Sequence, residues 1–561
     1  MSGTTQPGVA EQQRGVAVFV DELAALGVTH AVISPGSRSA PLALALAGAD
    51  RIRCIPVIDE RSAGFVALGV GKATRRPALA VTTSGTAAAN LGPAIHEARE
   101  ARIPLIALTA DRPPELRGVG EGQTIDQVEL FGSSAGFLSI DLPTSESEWR
   151  RTAREAVTLS VSSRPGPVQV NVALRPPLDR VEGLAPGPTA SSPLKVGRGT
   201  GACEKALRVI QGAQRPVAVA GREEGLDGER LAQQCARLGV PVLADPLSGA
   251  FRAGSFVPHW DLLLGGAAGF PPSQPDLLIR SGDLPTSKGL RAWVAGLARA
   301  GIDVVQFDPE DSRRDPDRAS TLISSFDAAI TLESLDSLAI EEGWLETWLD
   351  AGSAARSILA TIPRADGPIE EPWVARECAE GADRVLFCSA SLPIRDLEAF
   401  ADLTAESPRI LSNRGANGID GVISTAVGVA LGSDSPTTVI IGDVAFVHDQ
   451  GALTLLRDTG TPVTVVLVDN GGGGIFDLLP VATRADEDFT RFFTTPTRLD
   501  VQSLCAAWSI DYAPADSIGE LRALLGTQAG RPRVIHVPVD RAEGHTAREH
   551  ARQAVAAALA G

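Results

Sequence analysis

The sequence predicts an α/β protein built from three doubly wound parallel-sheet domains. Short apolar runs of β-type residues alternate with Ala- and Leu-rich helical stretches along almost the whole chain of 561 residues. Strands that are apolar on both faces indicate parallel sheets covered by helices on each side. A chain of this length is too long for one hydrophobic core, and two Pro-rich segments interrupt the alternation.

The strands are predicted where a short apolar run stands beside a helical stretch. In chain order they cover residues 29–33, 53–58, 78–83, 103–109, 167–172, 216–220, 276–280, 303–307, 384–389, 438–442 and 462–468.

The two Pro-rich segments are predicted linkers. Residues 175–200 and 362–372 hold clusters of Pro among Gly, Ser and charged residues, a composition that is typical of domain boundaries. We therefore expect three domains of similar size, covering residues 1–185, 196–361 and 373–561.

Composition and charge exclude several classes of protein. The formal net charge of -17 leaves no basic face to neutralise the phosphates of a nucleic acid. Neither an apolar run of membrane-span length nor a signal-peptide core is found in the sequence, which predicts a cytoplasmic protein. The cysteines have no metal-ligand spacing, so we expect reduced thiols that are mostly buried. They are Cys54, Cys203, Cys235, Cys378, Cys388 and Cys505.

Two nucleotide-binding motifs are absent from the sequence. No GxGxxG follows a predicted strand, so the dinucleotide fingerprint is missing. The stretch 64-GFVALGVGKAT-74 resembles a phosphate loop, but its spacing is wrong and Ala73 stands where a Ser or Thr should reach a metal ion.

Polar residues and glycines follow two neighbouring predicted strands near the C-terminus. Gly442 and Asp443 end the strand at 438–442, and Asn470 with the glycine run 471–474 ends the strand at 462–468. A carboxylate, an amide oxygen and a bare backbone carbonyl could form a hard oxygen site for Mg²⁺. The alternative is a pair of ordinary strand-to-helix turns with Asp443 as a helix N-cap.

This pairing resembles the thiamine diphosphate and magnesium motif, a GD dipeptide followed by an Asn and a Gly. The resemblance implies that Asp443, Asn470 and the carbonyl of Gly472 are the metal ligands. The sequence departs from the usual motif at Val444, where glycine is usual, and at Asp469, where asparagine is usual. Neither departure changes the ligand set.

A second part of the same kind of site lies in the first third of the chain. Glu60 follows an apolar strand, and 82-TTSGTAAANLGPAIHEA-98 runs from a strand through a small-residue turn into a helix. Both resemble the pyrimidine-binding domain of thiamine diphosphate enzymes. The resemblance implies that Glu60 is the activating acid at the cofactor's aminopyrimidine and that Gly85 and Asn90 contact the cofactor. By itself, Glu60 would more often be a first-turn helix residue favoured by the helix dipole, and the metal motif later in the chain reverses this preference.

Five segments together resemble the 2-succinyl-5-enolpyruvyl-6-hydroxy-3-cyclohexene-1-carboxylate synthases of menaquinone biosynthesis. The long segments 33-ISPGSRSAPLALAL-46 and 411-LSNRGANGIDGVISTAVG-428 are the most specific. The others are 59-DERSAGFVALG-69, 109-TADRPPELRGVGEGQTIDQ-127 and 471-GGGGIFDLLP-480.

This resemblance implies three α/β domains, a homodimer or dimer of dimers with active sites between two subunits, thiamine diphosphate, and Mg²⁺ or Mn²⁺. The implied activity is that of a C–C bond-forming transferase. It decarboxylates 2-oxoglutarate and adds the succinyl semialdehyde carbanion in 1,4 fashion to isochorismate.

The implied substrates are dianions, so the pocket needs several fixed guanidiniums, which bind carboxylates bidentately. A lone arginine is usually a solvated surface charge, but four arginines here stand inside recognisable motifs. The resemblance places near the substrates Ser37, Arg38, Arg112, Gln123, Ser391, Arg395 and Arg414, with Lys288 as a further candidate.

Apolar residues and glycines complete the implied site. The resemblance makes Ile419 the prop beneath the bent cofactor, although ordinary core packing is the alternative for this residue. Ile475 and Phe476 would form an apolar wall that excludes water from the reacting carbon. Gly442 and Gly473 would contact the cofactor. None of the histidines lies in the five matching segments, so we expect proton transfer through the cofactor, water and Glu60.

Two other functions stay open at this point. An acetolactate synthase would act on pyruvate, would usually carry FAD in its middle domain and would not need the arginine set. A cofactor-free scaffold would not need Glu60, Asp443 and Asn470, all of which are present.

Overall fold

The computed structural model describes residues 9–141, 144–178, 202–222, 227–266, 269–310, 314–362, 368–381, 384–484, 486–527 and 530–560. The chain divides into two compact units. The first unit comprises Met1–Val196, Asn413–Ser435 and His448–Pro462, and the second unit comprises Gly197–Ser412, Pro436–Val447 and Val463–Gly561.

The strands of the described residues alternate with helices. They are β1 His30–Ile33, β2 Arg53–Pro56, β3 Ala78–Thr82, β4 Leu105–Asp111, β5 Gly136–Ile140, β6 Pro167–Ala173, β7 Pro216–Ala220, β8 Val242–Ala244, β9 Leu277–Ser281, β10 Asp303–Phe307, β11 Leu322–Ser324, β12 Val385–Cys388, β13 Arg409–Leu411, β14 Thr437–Gly442, β15 Val463–Asp469, β16 Asp511–Pro514 and β17 Arg533–Pro538.

The α-helices connect these strands in chain order. They are α1 Val9–Ala25, α2 Ala40–Ala47, α3 Glu60–Thr74, α4 Thr86–Ala89, α5 Gly92–Ala101, α6 Glu146–Ser160, α7 Glu204–Gln211, α8 Gly228–Leu238, α9 Trp260–Gly266, α10 Lys288–Arg299, α11 Ala328–Glu333, α12 Trp344–Thr361, α13 Glu371–Gly381, α14 Leu392–Phe400, α15 Val422–Ser433, α16 Asp443–His448, α17 Leu453–Thr459, α18 Glu487–Phe489, α19 Val501–Ala507, α20 Ile518–Leu525 and α21 Arg541–Ala560.

The first unit contains a six-stranded sheet in the order β2-β1-β3-β4-β6-β5, and every neighbouring pair is parallel. Strands β3, β4 and β6 are buried along their whole length, as expected for a sheet covered on both faces. On one side of the sheet, α1 packs against α6, where the rings of Phe19 and Trp149 meet edge to face at 5.9 Å.

A close helix crossing connects two distant parts of the sequence inside the first unit. Helix α3 packs along α15, and a Cβ on Gly69 would lie 2.0 Å from the carbonyl oxygen of Thr425. A Cβ on Gly428 would lie 2.0 Å from the carbonyl oxygen of Val66. Since only glycine lets two backbones approach this closely, these residues fix how the segment 413–435 sits on α3.

The second unit contains two parallel sheets. One has five strands in the order β11-β10-β9-β7-β8, and the other has six strands in the order β13-β12-β14-β15-β17-β16. Counted from its own first strand, the six-stranded sheet has the same order, 2-1-3-4-6-5, as the sheet of the first unit. Three parallel sheets with flanking helices confirm the predicted fold class.

The predicted strands are all confirmed to within about two residues at their ends. Strands β5, β8, β11, β13, β16 and β17 were not among them. The stretch 64-GFVALGVGKAT-74 forms the body of α3, so it is not a phosphate loop. All six cysteines are free, and four of them are buried.

The predicted linkers fall largely outside the described residues. Residues 179–201 and 363–367 are not described, so the boundaries near 185, 196 and 361 stay a prediction. In the described part of the chain, every helix is too short or too polar to cross a bilayer.

Candidate active site

Each six-stranded sheet places several of the predicted site residues where the strand order reverses. In the sheet of the first unit, this point lies between β1 and β3, and in the second unit it lies between β12 and β14. Crevices at the carboxyl ends of such strands are where open α/β sheets bind ligands. The segments that follow these four strands are 34–39, 83–85, 389–391 and the start of α16.

Glu60 is the first residue of α3 and is half-buried. The preceding residue, Asp59, caps the helix through its carboxylate, which accepts from the backbone amides of Arg61 at 2.9 Å and Ser62 at 3.4 Å. Because Asp59 already provides the cap, the Glu60 carboxylate remains available for another partner at a positive helix end.

Arg38 and Arg112 form a guanidinium pair at the carboxyl edge of the first sheet. Arg38 donates to the carbonyl of Leu174 at 2.7 Å, and Arg112 donates to Ser84 Oγ at 3.2 Å and to the carbonyl of Gly122 at 2.7 Å. Burial and the neighbouring charge of Arg112 lower the pKa of Arg38. The Nε atoms of both arginines are buried and have no hydrogen-bond acceptor among the described residues, although Glu121 Oε1 forms an ion pair with Arg112 Nε at 3.9 Å. Two like charges with unused donors suit a carboxylate.

Gln123 and Gly85 meet beside this pair. Gln123 has a positive φ of 54° and donates through Nε2 to the carbonyl of Ser84 at 3.0 Å, while Ser84 Oγ donates back to the carbonyl of Gln123 at 3.0 Å. Gly85 precedes α4, and Asn90 is the exposed residue that ends this short helix. The predicted residue Ser37 is exposed on the loop before α2.

The segment that carries Arg414 and Ile419 is held by Glu97 of α5. The Glu97 carboxylate accepts from the backbone amides of Gly415 at 2.9 Å and Ala416 at 2.6 Å. Lys72 of α3, which is fully buried, lies 3.9 Å from the same carboxylate. Ile419 is half-buried, so the described part of the chain leaves one side of it uncovered.

In the second unit, Asp443 follows β14 and begins α16. Its carboxylate accepts from the amide of Val444 at 2.9 Å and from Thr497 Oγ1 at 3.1 Å. Burial and the nearby charge of Asp469 raise the pKa of Asp443 to about 6. A bound divalent cation would offset both unfavourable contributions, because it attracts the two carboxylates that repel each other.

Asn470 presents a buried oxygen that lacks a partner. Its Nδ2 donates to Glu371 Oε1 at 2.9 Å, which turns Oδ1 away from Glu371. Oδ1 is buried and makes no hydrogen bond to the described residues. An orphaned buried amide oxygen is costly without a ligand, so this atom fits a metal ion.

The glycine run brings its backbone to the same place. The backbone of Gly472 hydrogen-bonds Asp443, and the Gly473 amide donates to the carbonyl of Thr494 at 2.7 Å. Gly472 has φ 140°, and a Cβ there would lie 2.2 Å from the carbonyl oxygen of Thr494. This position therefore requires glycine.

The apolar residues after the glycine run belong to an aromatic cluster. Phe476 packs edge to face on Phe493 at 5.6 Å, and Phe493 stacks on Phe489 at 5.7 Å. Ile475 and Phe476 are both half-buried, so each keeps an accessible face.

Ser391 and Arg395 lie at the start of α14. Ser391 has a positive φ of 77°, and Arg395 donates to its carbonyl oxygen. Lys288 is exposed at the first position of α10. The loop before it contacts α14, since the Thr286 amide donates to Glu398 Oε2 at 3.1 Å.

The predicted residues therefore fall into two sets, one in each unit. The first unit holds Ser37, Arg38, Glu60, Gly85, Asn90, Arg112, Gln123, Arg414 and Ile419. The second unit holds Lys288, Ser391, Arg395, Gly442, Asp443, Asn470, Gly472, Gly473, Ile475 and Phe476.

Sequence reasoning missed three polar residues around these sets. Glu97 and Glu371 hold predicted site residues, and His536 Nε2 lies 3.0 Å from Asp469 Oδ2, which holds the pKa of that carboxyl below its usual value. His536 also contacts Tyr512 through Nδ1 at 3.1 Å. Asp469 stands where the motif usually has asparagine, and its carboxylate has a histidine partner. The two residues are 67 positions apart in the sequence, so only the fold brings them close.

The described residues fit Mg²⁺ through oxygen ligands alone. No group of three or more His, Cys, Asp or Glu side chains in the described ranges could hold a metal. The set of Asp443, Asn470 and the Gly472 carbonyl contains a single carboxylate ligand. Mg²⁺ is often held by one or two carboxylates together with phosphate oxygens and water.

Two known protein families match separate parts of the chain. Residues 13–130 match the family described as "Thiamine pyrophosphate enzyme, N-terminal TPP binding domain". Residues 399–537 match the family described as "Thiamine pyrophosphate enzyme, C-terminal TPP binding domain". The two matches include Glu60 and the pair Asp443 and Asn470, respectively.

Curated relatives match the chain over nearly its full length. Three of them carry the name 2-succinyl-5-enolpyruvyl-6-hydroxy-3-cyclohexene-1-carboxylate synthase. The protein of Halobacterium salinarum is 38% identical over 95% of this chain and 96% of its own length. The protein of Geobacillus thermodenitrificans is 39% identical over 90% of this chain and 90% of its own length. The protein of Myxococcus xanthus is 38% identical over 87% of this chain and 87% of its own length.

Proposed function

Because the chain belongs to the 2-succinyl-5-enolpyruvyl-6-hydroxy-3-cyclohexene-1-carboxylate synthase family of thiamine diphosphate-dependent enzymes, we propose that it joins 2-oxoglutarate to isochorismate. One C–C bond breaks as CO₂ leaves 2-oxoglutarate. One C–C bond forms by 1,4-addition of the remaining four-carbon unit to isochorismate, as in menaquinone biosynthesis.

The guanidinium pair of Arg38 and Arg112 supports the substrate assignment. Both substrates are dianions, and both arginines keep a buried Nε–H without an acceptor in the described part of the chain. A carboxylate between them would offset both the burial and the repulsion by Arg112 that lower the pKa of Arg38. Arg395 and Arg414 are the proposed further partners for carboxylates, with Ser37, Gln123, Ser391 and Lys288 as polar contacts.

The proposed metal ligands all belong to the second set of residues, and the proposed cofactor contacts come from both sets. Asp443, Asn470 and the Gly472 carbonyl would hold Mg²⁺ or Mn²⁺, and Gly442, Gly473 and Ile475 would contact thiamine diphosphate. When bound, thiamine diphosphate supplies the nucleophilic carbon and accepts the electrons that decarboxylation releases. Gly85, Asn90 and Ile419 are the proposed contacts to the rest of the cofactor.

Glu60 is the proposed acid. Its carboxyl group would hold the proton at the aminopyrimidine nitrogen and share it during each turnover. Phe476 and Ile475 would keep water away from the reacting carbon, so that the four-carbon unit meets isochorismate before it is protonated. Histidine takes no part in this assignment. The buried His259 donates through Nδ1 to the carbonyl oxygen of Ala399 at 3.0 Å, and burial lowers its pKa to about 4.

We propose that the protein is cytoplasmic and that it assembles as a homodimer or a dimer of dimers, with active sites between subunits. Neither a nucleic acid nor a membrane is a proposed partner.

Isochorismate absorbance tests the proposed reaction. The purified protein is mixed with isochorismate, 2-oxoglutarate, thiamine diphosphate and Mg²⁺, and each component is omitted in turn. We expect loss of isochorismate only when all of them are present. Release of CO₂ from pyruvate without loss of isochorismate would instead indicate an acetolactate synthase and would contradict the arginine assignments.

A further inference from the structure

We infer that Glu371 is a positioning residue that orients Asn470 toward the metal ion, an inference that rests on the proposed metal site. Glu371 is the first residue of α13 and is buried. Its Oε1 accepts from Asn470 Nδ2 at 2.9 Å. An amide carries its donors and its acceptor on opposite sides, so binding the NH₂ group to Glu371 decides where Oδ1 points.

The position of Oδ1 supports this role. Without a fixed partner, the side chain of Asn470 could rotate and present its NH₂ group, which repels a cation. With Nδ2 held by Glu371, the buried Oδ1 remains without a hydrogen-bond partner among the described residues. Groups outside the ligand set that fix a ligand in this way commonly contribute 10- to 100-fold to metal affinity.

The second oxygen of Glu371 forms an ion pair with Arg548 of α21. Arg548 Nη2 lies 2.9 Å from Glu371 Oε2, and the same guanidinium donates to both oxygens of Asp396 at 2.7 and 2.5 Å. Both carboxylates and the guanidinium are buried. Burial and the charge of Asp396 raise the pKa of Glu371, although the charge of Arg548 and the hydrogen bond from Asn470 act against this rise.

This arrangement connects the metal ligand to a helix that carries a proposed substrate residue. Asp396 lies on α14 directly after Arg395. One guanidinium therefore fixes Glu371, which orients Asn470, and Asp396, which anchors the helix of Arg395. This buried group of one guanidinium and two carboxylates thus links the proposed metal ligand Asn470 to the helix of Arg395.

The same helix offers a matched control. Glu377 also lies on α13 and is buried, and it forms a bidentate pair with Arg522 at 2.5 and 2.9 Å. The contacts described for Glu377 do not include a predicted site residue. Glu377→Met and Glu371→Met therefore both remove a buried carboxylate from an arginine, but only the second removes the acceptor of Asn470.

The test is a Mg²⁺ titration of thiamine diphosphate binding by calorimetry, without substrates. We expect Glu371→Met to raise the Mg²⁺ concentration for half-saturation by 10- to 100-fold. Glu371→Gln should cause a smaller rise, because its amide oxygen can still accept from Asn470. Glu377→Met should change this concentration less than threefold, although both Met variants lower the melting temperature.

Three outcomes overturn the inference. Unchanged Mg²⁺ dependence in Glu371→Met would show that Asn470 is oriented without Glu371. An equal loss in Glu377→Met would show a general effect of weakening α13. Cofactor binding by the wild-type protein that does not depend on Mg²⁺ would remove the metal site itself, and the isochorismate assay would still decide the proposed reaction separately.

Discussion

Glu97 accepts a hydrogen bond of 2.6 Å from the backbone amide of Ala416, although the two residues lie 319 positions apart in the sequence. The amide of Gly415 donates to the other oxygen of the same carboxylate at 2.9 Å. Two successive amides bound by one carboxylate fix the backbone of the segment between Asn413 and Ile419. The direction of Arg414 therefore depends on a buried glutamate of another helix.

Glu97→Gln should weaken both the first unit and the site. Glutamine has one acceptor for the two amides of Gly415 and Ala416, and it removes the charge that faces Lys72. Hydrogen bonds to a charged group contribute about 1.5 to 3 kcal/mol, so we expect a loss of about 2 kcal/mol in the free energy of unfolding. Urea denaturation measures this loss, and steady-state kinetics should show a higher KM for the acid that Arg414 binds.

The control for this substitution is Glu100→Gln on the same helix. Glu100 is exposed, so its replacement should change the free energy of unfolding by less than about 0.5 kcal/mol. Equal stability and equal KM values for Glu97→Gln and the wild type would show that the segment is held by other contacts.

Gly472→Ala should impair cofactor binding more than a substitution at the neighbouring glycine. The new Cβ would meet the Thr494 carbonyl oxygen at 2.2 Å, and φ 140° adds backbone strain. Strain and overpacking of this kind cost about 2 kcal/mol or more. We expect at least a tenfold weaker Mg²⁺-dependent affinity for thiamine diphosphate, measured by calorimetry.

Gly471→Asn provides the comparison. Gly471 has φ 76° and no heavy atom within 4 Å of its ideal Cβ, and asparagine tolerates this conformation. If both variants bind the cofactor as the wild type does, the close approach at Gly472 has no role in the metal site.

The sequence was sufficient to predict which candidate residues follow neighbouring apolar strands. Asp443 and Asn470 were predicted to be close because each ends a buried strand, and β14 and β15 are indeed parallel neighbours, with Gly442 opposite Val468. Short edge strands such as β16 were missed, because half-exposed strands lack a continuous apolar run.

The supporting residues could not be predicted from the sequence. Helix α5 carries Glu97 and Glu100 one turn apart, and no local pattern shows that the first turns inward to meet residues 415 and 416. Glu371 looks like an ordinary acidic residue in the first turn of a helix. Their partners lie about 100 or more positions away, so only the tertiary fold brings them together.

Arg38→Met should separate binding from stability. In the absence of substrate, the substitution removes one hydrogen bond to Leu174 but also removes the repulsion between Arg38 and Arg112. The free energy of unfolding should therefore change by less than about 1 kcal/mol. With substrate, a charge-assisted carboxylate contact is lost, and KM should rise at least tenfold. Kinetics with each acid varied in turn measure this effect, and Arg164→Met, an exposed arginine, should leave both KM values unchanged. A large loss of stability with unchanged KM would assign Arg38 a structural role.

Asp449 should make the stability of the first unit depend on pH. Its carboxylate lies at the N-terminal end of α15 and accepts from the Ser424 amide at 2.9 Å and from Ser424 Oγ at 3.0 Å. Burial raises the pKa of Asp449 to about 6, whereas an unfolded aspartate titrates near 3.9. Between pH 4 and 6 the folded state therefore binds a proton that the unfolded state has released. The stability that this group contributes is lost as the pH rises through this window.

Asp449→Asn removes this titration and should reveal its sign. The free energy of unfolding of the variant, relative to that of the wild type, should increase as the pH rises from 4 to 7, by on the order of 3 kcal/mol, because only the wild type loses stability in this window. Urea denaturation of both proteins across this range measures the difference, and Asp50→Asn, at an exposed carboxylate, should show no such trend. A relative stability of Asp449→Asn that falls as the pH rises would mean that Ser424 and Arg61 stabilise the carboxylate more than burial destabilises it. In that case the folded protein would hold Asp449 ionised below pH 4.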